Sequence, residues 1–158
     1  MCGGVACVLH GVDRSTHDLD LAIDWPGVSA TALLDITERF QLQPLIPEPM
    51  TSVLDPERRR AWIEEKGAKD FTLRSDDGQR VVDLFLTYPI PWSELYAAAT
   101  PLDGSSASSA RIRISGIQHL LEAKRSVIPP RRRDLRDIED LLVILGDGAE
   151  KTDGDGDA

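Results

Sequence analysis

The sequence predicts an α+β fold, a small mixed β-sheet with flanking helices and a helical C-terminal part. Three observations lead to this prediction. Short segments that alternate in polarity or run apolar, such as 18–24 and 79–87, indicate strands. Longer segments with apolar residues three and four apart, such as 29–40 and 131–145, indicate amphipathic helices. The 158 residues, 41% of them hydrophobic, suit one domain with its own core.

The first half of the chain is predicted to alternate between helices and strands. Ser29 or Thr31 can cap the second helix. Asp55, which is followed by proline, is expected to begin the third helix, and Gly67 is expected to end it. The segment 76–78 is Asp-Asp-Gly, a hairpin signal between two strands. The predicted elements are a helix over 3–11, a strand over 18–24, a helix over 29–40, a strand over 41–46, a helix over 55–66, and strands over 69–74 and 79–87.

The second half is predicted to be mostly helical. Ser115 and Gln118 form a capping-box pattern at the start of one helix, and Gly146 is expected to end the last one. The elements together predict a single domain over residues 1–146, followed by an acidic, glycine-rich tail over 147–158 that we expect to be disordered. The predicted elements are a helix over 92–99, a flexible loop over 104–109, a strand over 111–114, and helices over 115–124 and 131–145.

The charge of the chain argues against extensive contact with nucleic acid. The formal net charge is −9, from 27 acidic and 18 basic residues, and an acidic protein binds duplexes poorly without specificity. Two basic clusters, Arg58–Arg60 and Arg131–Arg133, interrupt this acidic background. Local basic patches suit a phosphate-bearing ligand held in one pocket better than a long duplex.

Other features limit the class of protein and its compartment. The two cysteines exclude a disulfide scaffold, and no uncharged run is long enough to cross a membrane. No basic residue precedes Arg14, so the N-terminal segment does not look like a secretory signal. We therefore expect a cytoplasmic protein without a membrane partner.

Three aspartates are candidate metal ligands. Asp18 and Asp20 share one face of the predicted strand over 18–24, while the leucines between and after them face the opposite side. Asp83 is a single acid in the otherwise apolar strand over 79–87. If the two strands are neighbours, the three carboxylates can converge on a pair of Mg²⁺ ions and a bound phosphate.

Less specific readings of these and nearby residues remain open. Asp18 and Asp20 can be solvated acids on an edge strand, and Asp83 can be the ion-pair partner of Arg80 or Arg113. Arg14 and Lys124 are candidates to neutralise triphosphate charge. Arg14 can equally pair with a nearby aspartate, and Lys124 can be an ordinary surface lysine.

Three motifs in order along the chain carry a family resemblance: Gly3–Ala6, Arg14–Leu21 and Val82–Leu84. They are similar to the Gly-Gly-x-Ala motif, the Arg-x-Thr-x-Asp-x-Asp-Leu motif and the later single aspartate of the nucleotidyltransferase superfamily of the DNA polymerase β type. The sequence most resembles the small AbiEii-like branch, whose members occur as toxins in toxin–antitoxin and phage-defence systems. A weaker C-terminal match includes Lys124, Arg131, Arg133, Asp134 and Asp137, so the resemblance spans residues 3–145.

The resemblance implies Mg²⁺-dependent transfer of a nucleoside monophosphate from a nucleoside triphosphate to a hydroxyl acceptor. The acceptor would be RNA, a protein or a small molecule, and a cognate antitoxin would be a possible partner. Asp18, Asp20 and Asp83 would be the catalytic metal ligands of a two-metal site. The residues implied in nucleotide binding are Gly3, Gly4, Arg14, Thr16 and Lys124.

One departure from the family pattern supplies an alternative. The family has a helix and a short apolar strand before its Gly-Gly pair, whereas only two residues precede Gly3 here. The alternative expectation is therefore a degenerate member of the same fold that binds a nucleotide or a protein without catalysis. A third reading is a small structural domain whose acids are only surface features, which would be favoured if Asp83 faced away from Asp18 and Asp20.

Overall fold

The computed structural model describes residues 1–102 and 112–153, with side chains as far as residue 146. The described residues form an α+β structure that includes a small mixed four-stranded sheet and six α-helices, which confirms the predicted class. They divide into two compact units, one formed by Met1 and 16–88 and the other by 2–15 and the chain from Pro89 onward. The single domain over 1–146 stays a prediction. The predicted loop over 104–109 and the tail beyond Asp153 lie outside the described residues.

The elements predicted from the sequence occur in the predicted order with shifts at their ends, and a two-residue strand at Thr100–Pro101 and two short 3₁₀ helices were not predicted. The first half contains α1 (Gly3–Leu9), β1 (Asp18–Ala22), α2 (Ala30–Arg39), β2 (Leu42–Pro44), α3 (Pro56–Lys66), β3 (Asp70–Ser75) and β4 (Val81–Phe85). Two short 3₁₀ helices, Trp25–Gly27 and Met50–Leu54, complete this half. The second half contains α4 (Trp92–Ala97), β5 (Thr100–Pro101), β6 (Arg113–Ile114), α5 (Ile117–Arg125) and α6 (Arg132–Asp153).

The four-stranded sheet of the first unit has the strand order β1-β4-β3-β2. Strand β1 runs parallel to β4, and the other two pairs are antiparallel. Alternation along β3 and β4 sends Phe71, Leu73 and Leu84 into a core with Trp62 of α3, whose ring stacks on Phe71 at 5.5 Å between centroids. Complete burial of each such side chain contributes about 1.5–3 kcal/mol. One face of the sheet thus packs on the hydrophobic core, and the residues that alternate with these core residues lie on the opposite face.

Local signals explain where the helices of the first unit begin and end. The Ser29 hydroxyl accepts a hydrogen bond from the third residue after it at the start of α2. The Asp55 carboxylate accepts two backbone N–H bonds at the start of α3. Gly67 ends α3 in the left-handed conformation, with φ of 62°, which costs glycine little. These caps satisfy backbone groups that a helix end leaves without partners.

In the second unit, α1 and α6 both pack on α5, and β5 pairs with β6. Leu120 and Leu121 of α5 and Leu141 of α6 are fully buried. None of the described helices combines the length and the apolar composition needed to cross a membrane.

Two predicted boundaries in the second unit were wrong. Helix α5 begins at Ile117 with Gly116 as its N-cap and no side-chain cap, so the Ser115 hydroxyl lies one residue too early to cap it. Helix α6 continues to Asp153, past the predicted end at Gly146. A glycine inside a helix costs about 1 kcal/mol relative to alanine, which by itself does not end a long helix.

Candidate metal centre

The strand register of the first unit places the three predicted acids on one face of the sheet. In the parallel pair of β1 and β4, Asp20 lies opposite Asp83, and Asp18 lies opposite Val81. Residues two apart on a strand share a face, so Asp18 and Asp20 face the same way as Asp83. This is the face opposite the hydrophobic core, because Leu84 of β4 and Leu21 of β1 belong to the core side.

The three carboxylates are close enough to act together. One ligand oxygen from each of Asp18, Asp20 and Asp83 lies within 4.8 Å of the others, and all three residues are partly buried. Oxygen ligands stand about 2.1 Å from Mg²⁺, so two on the same ion are at most about 4.2 Å apart. The carboxylate donors are of the type that a hard divalent cation prefers, and their separation of at most 4.8 Å is close to the limit for two ligands of one Mg²⁺ ion. The predicted convergence of the three acids is confirmed, whereas the identity and number of the ions stay predictions.

Two threonine hydroxyls hold carboxylates of this centre. Thr16 Oγ1 donates a hydrogen bond to Asp18 Oδ1 at 2.8 Å. Thr72 Oγ1 donates to Asp83 Oδ1 at 2.6 Å. The hydroxyl of Thr16 thus contacts a candidate metal ligand, and its predicted contact with the nucleotide stays a prediction.

A fourth acid, Asp70, lies at the edge of the centre. It occupies the same face of β3 as Thr72, with 3.3 Å between its Oδ1 and the threonine Oγ1. Burial, followed by the negative charge of Asp83, raises the pKa of Asp70 above its ordinary value. The second cause means that the negative charges of Asp70 and Asp83 repel each other across this face of the sheet.

The remaining predicted site residues belong to the second unit. Gly3 and Gly4 begin α1, and Gly3 has a φ of 62°, a conformation that favours glycine. Arg14 Nη1 donates to Asp137 Oδ2 at 2.6 Å. Lys124 is only 8% exposed. The predicted contacts of these four residues with nucleotide phosphates stay predictions.

Lys124 lies in a buried cluster of charges between α5 and α6. Its Nζ donates to Asp137 Oδ2 and lies 3.5 Å from Asp134 Oδ1. Arg131 Nε also donates to Asp134, at 2.5 Å. Burial by itself raises the pKa of Asp134, but hydrogen bonds and positive charge from Arg131 and Lys124 outweigh it and leave that pKa below its ordinary value. These ion pairs explain why a lysine is buried here, and they exclude the reading of Lys124 as an ordinary surface residue.

The sequence interpretation missed Thr72 and Asp70, although the sequence contains a signal for the first. The Asp-Asp-Gly turn at 76–78 joins β3 and β4, and a hairpin centred there pairs residue 72 with residue 83. Asp70 then follows on the same face by alternation. No comparable local signal reveals the partners of Lys124, because its contacts depend on how α5 packs against α6.

Comparison with known proteins adds no family assignment to this geometry. A scan against protein-family models found no match to the chain. A search of curated proteins also found no match. The candidate metal centre is therefore defined by the residues and the strand register of the first unit.

Proposed function

We propose that this chain is a Mg²⁺-dependent nucleotidyltransferase, which moves a nucleoside monophosphate from a nucleoside triphosphate to a hydroxyl acceptor. The observation that carries the proposal is the convergence of Asp18, Asp20 and Asp83 on one face of the sheet. Phosphoryl-group transfer depends mainly on positioning and on neutralisation of charge, and a site of clustered carboxylates suits that chemistry. The resemblance of Gly3–Ala6 and Arg14–Leu21 to the superfamily supports the same assignment.

In the proposed reaction, Asp18 and Asp20 would hold the two Mg²⁺ ions, and Asp83 would hold one of them and help accept the proton of the acceptor hydroxyl. The hydroxyl oxygen forms a bond to the α-phosphorus, the bond from that phosphorus to the bridging oxygen of pyrophosphate breaks, and pyrophosphate leaves. When bound, Mg²⁺ supplies charge stabilisation for the attacking and leaving oxygens. Thr16 orients the carboxylate of Asp18 through its 2.8 Å hydrogen bond.

The contribution of the second unit to nucleotide binding rests on the family resemblance alone. Arg14 and Lys124 both pair with Asp137, so each already has a partner that explains its position. We therefore base the proposal on the three aspartates. Gly3 and Gly4 remain the proposed phosphate contacts.

The test is transfer of label from each of the four α-labelled nucleoside triphosphates in the presence of Mg²⁺. Total RNA, the protein itself and hydroxyl-bearing small molecules serve as separate acceptors. We expect label on one acceptor class with the wild-type chain, and its loss in Asp18→Asn, Asp20→Asn and Asp83→Asn. Asp24→Asn is the matched control, because Asp24 is an exposed acid two residues beyond the end of β1.

Each outcome distinguishes the proposal from its alternative. Transfer that survives in all three triad variants would show that the carboxylates do not carry the reaction. Binding of a nucleoside triphosphate that depends on Mg²⁺, without label on any acceptor, would overturn the transferase and support a non-catalytic binding protein. Loss of transfer in the three variants but not in Asp24→Asn would establish the assignment.

A further inference from the structure

We infer that Thr72 is a positioning residue of the metal centre, which holds the carboxylate of Asp83 in the orientation that binds the ion. The inference rests on the proposed function and extends the centre from two strands to three. Thr72 Oγ1 lies 2.6 Å from Asp83 Oδ1, within the range of a charge-assisted O–H···O⁻ hydrogen bond. Such a bond fixes a carboxylate more firmly than one between neutral groups.

The strand register places Thr72 within reach of Asp83. In the antiparallel pair of β3 and β4, Thr72 lies directly opposite Asp83, and both side chains are on the face away from the core. Side chains that are directly opposite have Cβ atoms about 4.5–5.5 Å apart. Because Thr72 is β-branched, few χ1 rotamers are open to it. The sheet register therefore places the hydroxyl within reach of Asp83, and the restricted χ1 angle limits how far it can turn away.

The hydroxyl has one proton and two carboxylates within reach. Asp70 Oδ1 lies 3.3 Å from Thr72 Oγ1, whereas Asp83 Oδ1 lies at 2.6 Å. A threonine hydroxyl can donate only one hydrogen bond, and the shorter contact identifies Asp83 as its acceptor. The hydrogen bond of Thr72 thus commits one oxygen of Asp83 to a fixed direction.

Asp20, Asp83 and Thr72 form a continuous row across three strands. Asp20 pairs with Asp83 in the parallel ladder, and Asp83 pairs with Thr72 in the antiparallel ladder. Groups that orient metal ligands by hydrogen bonds typically contribute about 10–100-fold to metal affinity. A hydroxyl at the end of this row has the position and the chemistry for that role.

The test measures binding of Mn²⁺ to the metal-free, full-length chain by electron paramagnetic resonance, so it needs no substrate and no activity. We expect Thr72→Val to raise the Kd for Mn²⁺ about tenfold, the lower end for an orienting residue. Thr72→Ser keeps the hydroxyl and should keep affinity close to the wild type. Thr37→Val is the matched control, because Thr37 is a buried threonine in α2 whose hydroxyl bonds the carbonyl of Leu34 at 2.9 Å.

Thermal unfolding of each variant in EDTA shows whether a change in affinity is separate from folding. Thr72→Ala provides a second variant without the hydroxyl if Thr72→Val does not fold. Equal Mn²⁺ affinity in the wild type and in Thr72→Val would overturn the role of Thr72 and leave the metal centre intact. Weakened binding in Thr72→Ser to the level of Thr72→Val would overturn it too, because the hydroxyl would not be the cause. A wild-type chain that binds no Mn²⁺ would overturn the metal centre itself.

Discussion

Replacement of Lys124 by methionine should lower the free energy of unfolding by about 3 kcal/mol, because it removes the central cation from a buried group of charges. Lys124 is 8% exposed, and Asp134 and Asp137 are 2% and 3% exposed. Without the lysine, both carboxylates stay buried and keep only their arginine partners. Methionine retains most of the methylene packing of the lysine stem, so the loss reports on charge rather than on volume.

The ion pairs that remain after the substitution determine how large the loss of stability should be. Removal of one partner from a buried ion pair costs about 3–5 kcal/mol. Asp134 keeps Arg131 at 2.5 Å and Asp137 keeps Arg14 at 2.6 Å, so the loss should lie near the lower limit. Asp137→Ala should cost more, about 4–5 kcal/mol, because Lys124 and Arg14 both lose their shortest ion pair.

The assay is urea-induced unfolding at pH 7, followed by far-ultraviolet circular dichroism. Arg125→Met is the matched control, because Arg125 is the next residue of α5 and is exposed. An exposed substitution of this kind should change the free energy of unfolding by less than about 0.5 kcal/mol. The expected order of destabilisation is Asp137→Ala, then Lys124→Met, then Arg125→Met.

Equal stabilities of Lys124→Met and Arg125→Met would refute this reasoning. Removal of the lysine would then leave the free energy of unfolding unchanged, where a loss of about 3 kcal/mol is expected for a buried group of charges. A loss near 3 kcal/mol would instead explain its burial by structure alone.

Three further substitutions give separate predictions: one tests the charge cluster around Lys124, and two test the ends of α3. Because the folded-state pKa of Asp134 is lowered, its ion pairs stabilise the protein above the ordinary carboxyl pKa, and this stabilisation is lost as the pH falls through the folded pKa. Asp134→Asn should therefore be less stable than the wild type at pH 7, with a difference that shrinks below about pH 4 in thermal unfolding at a series of pH values. Gly67→Ala should cost about 1 kcal/mol in urea unfolding, because its φ of 62° disfavours a side chain while the space around it is open. Asp55→Ala should also cost about 1 kcal/mol, since it removes the N-cap of α3, and Asp55→Asn should restore most of that loss.

Elements whose ends carry their own chemical signals could be predicted from the sequence. Asp55 and Gly67 mark the two ends of α3, and Asp-Asp-Gly at 76–78 marks the turn between β3 and β4. Each signal acts through a hydrogen bond or a backbone conformation within a few residues, so it does not depend on the rest of the fold. The shared face of Asp18 and Asp20 could also be predicted, because it depends only on the alternation of side chains along one strand.

Features that depend on packing between elements could not be predicted in this way. The sequence alone favoured a surface lysine at Lys124, whereas the residue is buried against its partners Asp134 and Asp137 on another helix. The spacing of those aspartates places them on one side of α6 but does not show what they face. Ser115 had the right sequence pattern for a cap, and a shift of one residue in the start of α5 left its hydroxyl without that role.

The hydrophobic core of the first unit also determines the geometry of the candidate centre. Leu21 and Val82 pack against the core while their neighbours Asp20 and Asp83 lie on the opposite face. A slip of one residue between β1 and β4 would bring Asp20 opposite an apolar residue and would turn the apolar side chains of one strand away from the core. Burial of the apolar residues therefore holds the register that brings the carboxylates together. The repulsion among these acids opposes folding, and burial of Phe71, Leu73 and Leu84 on the other side of the sheet favours it.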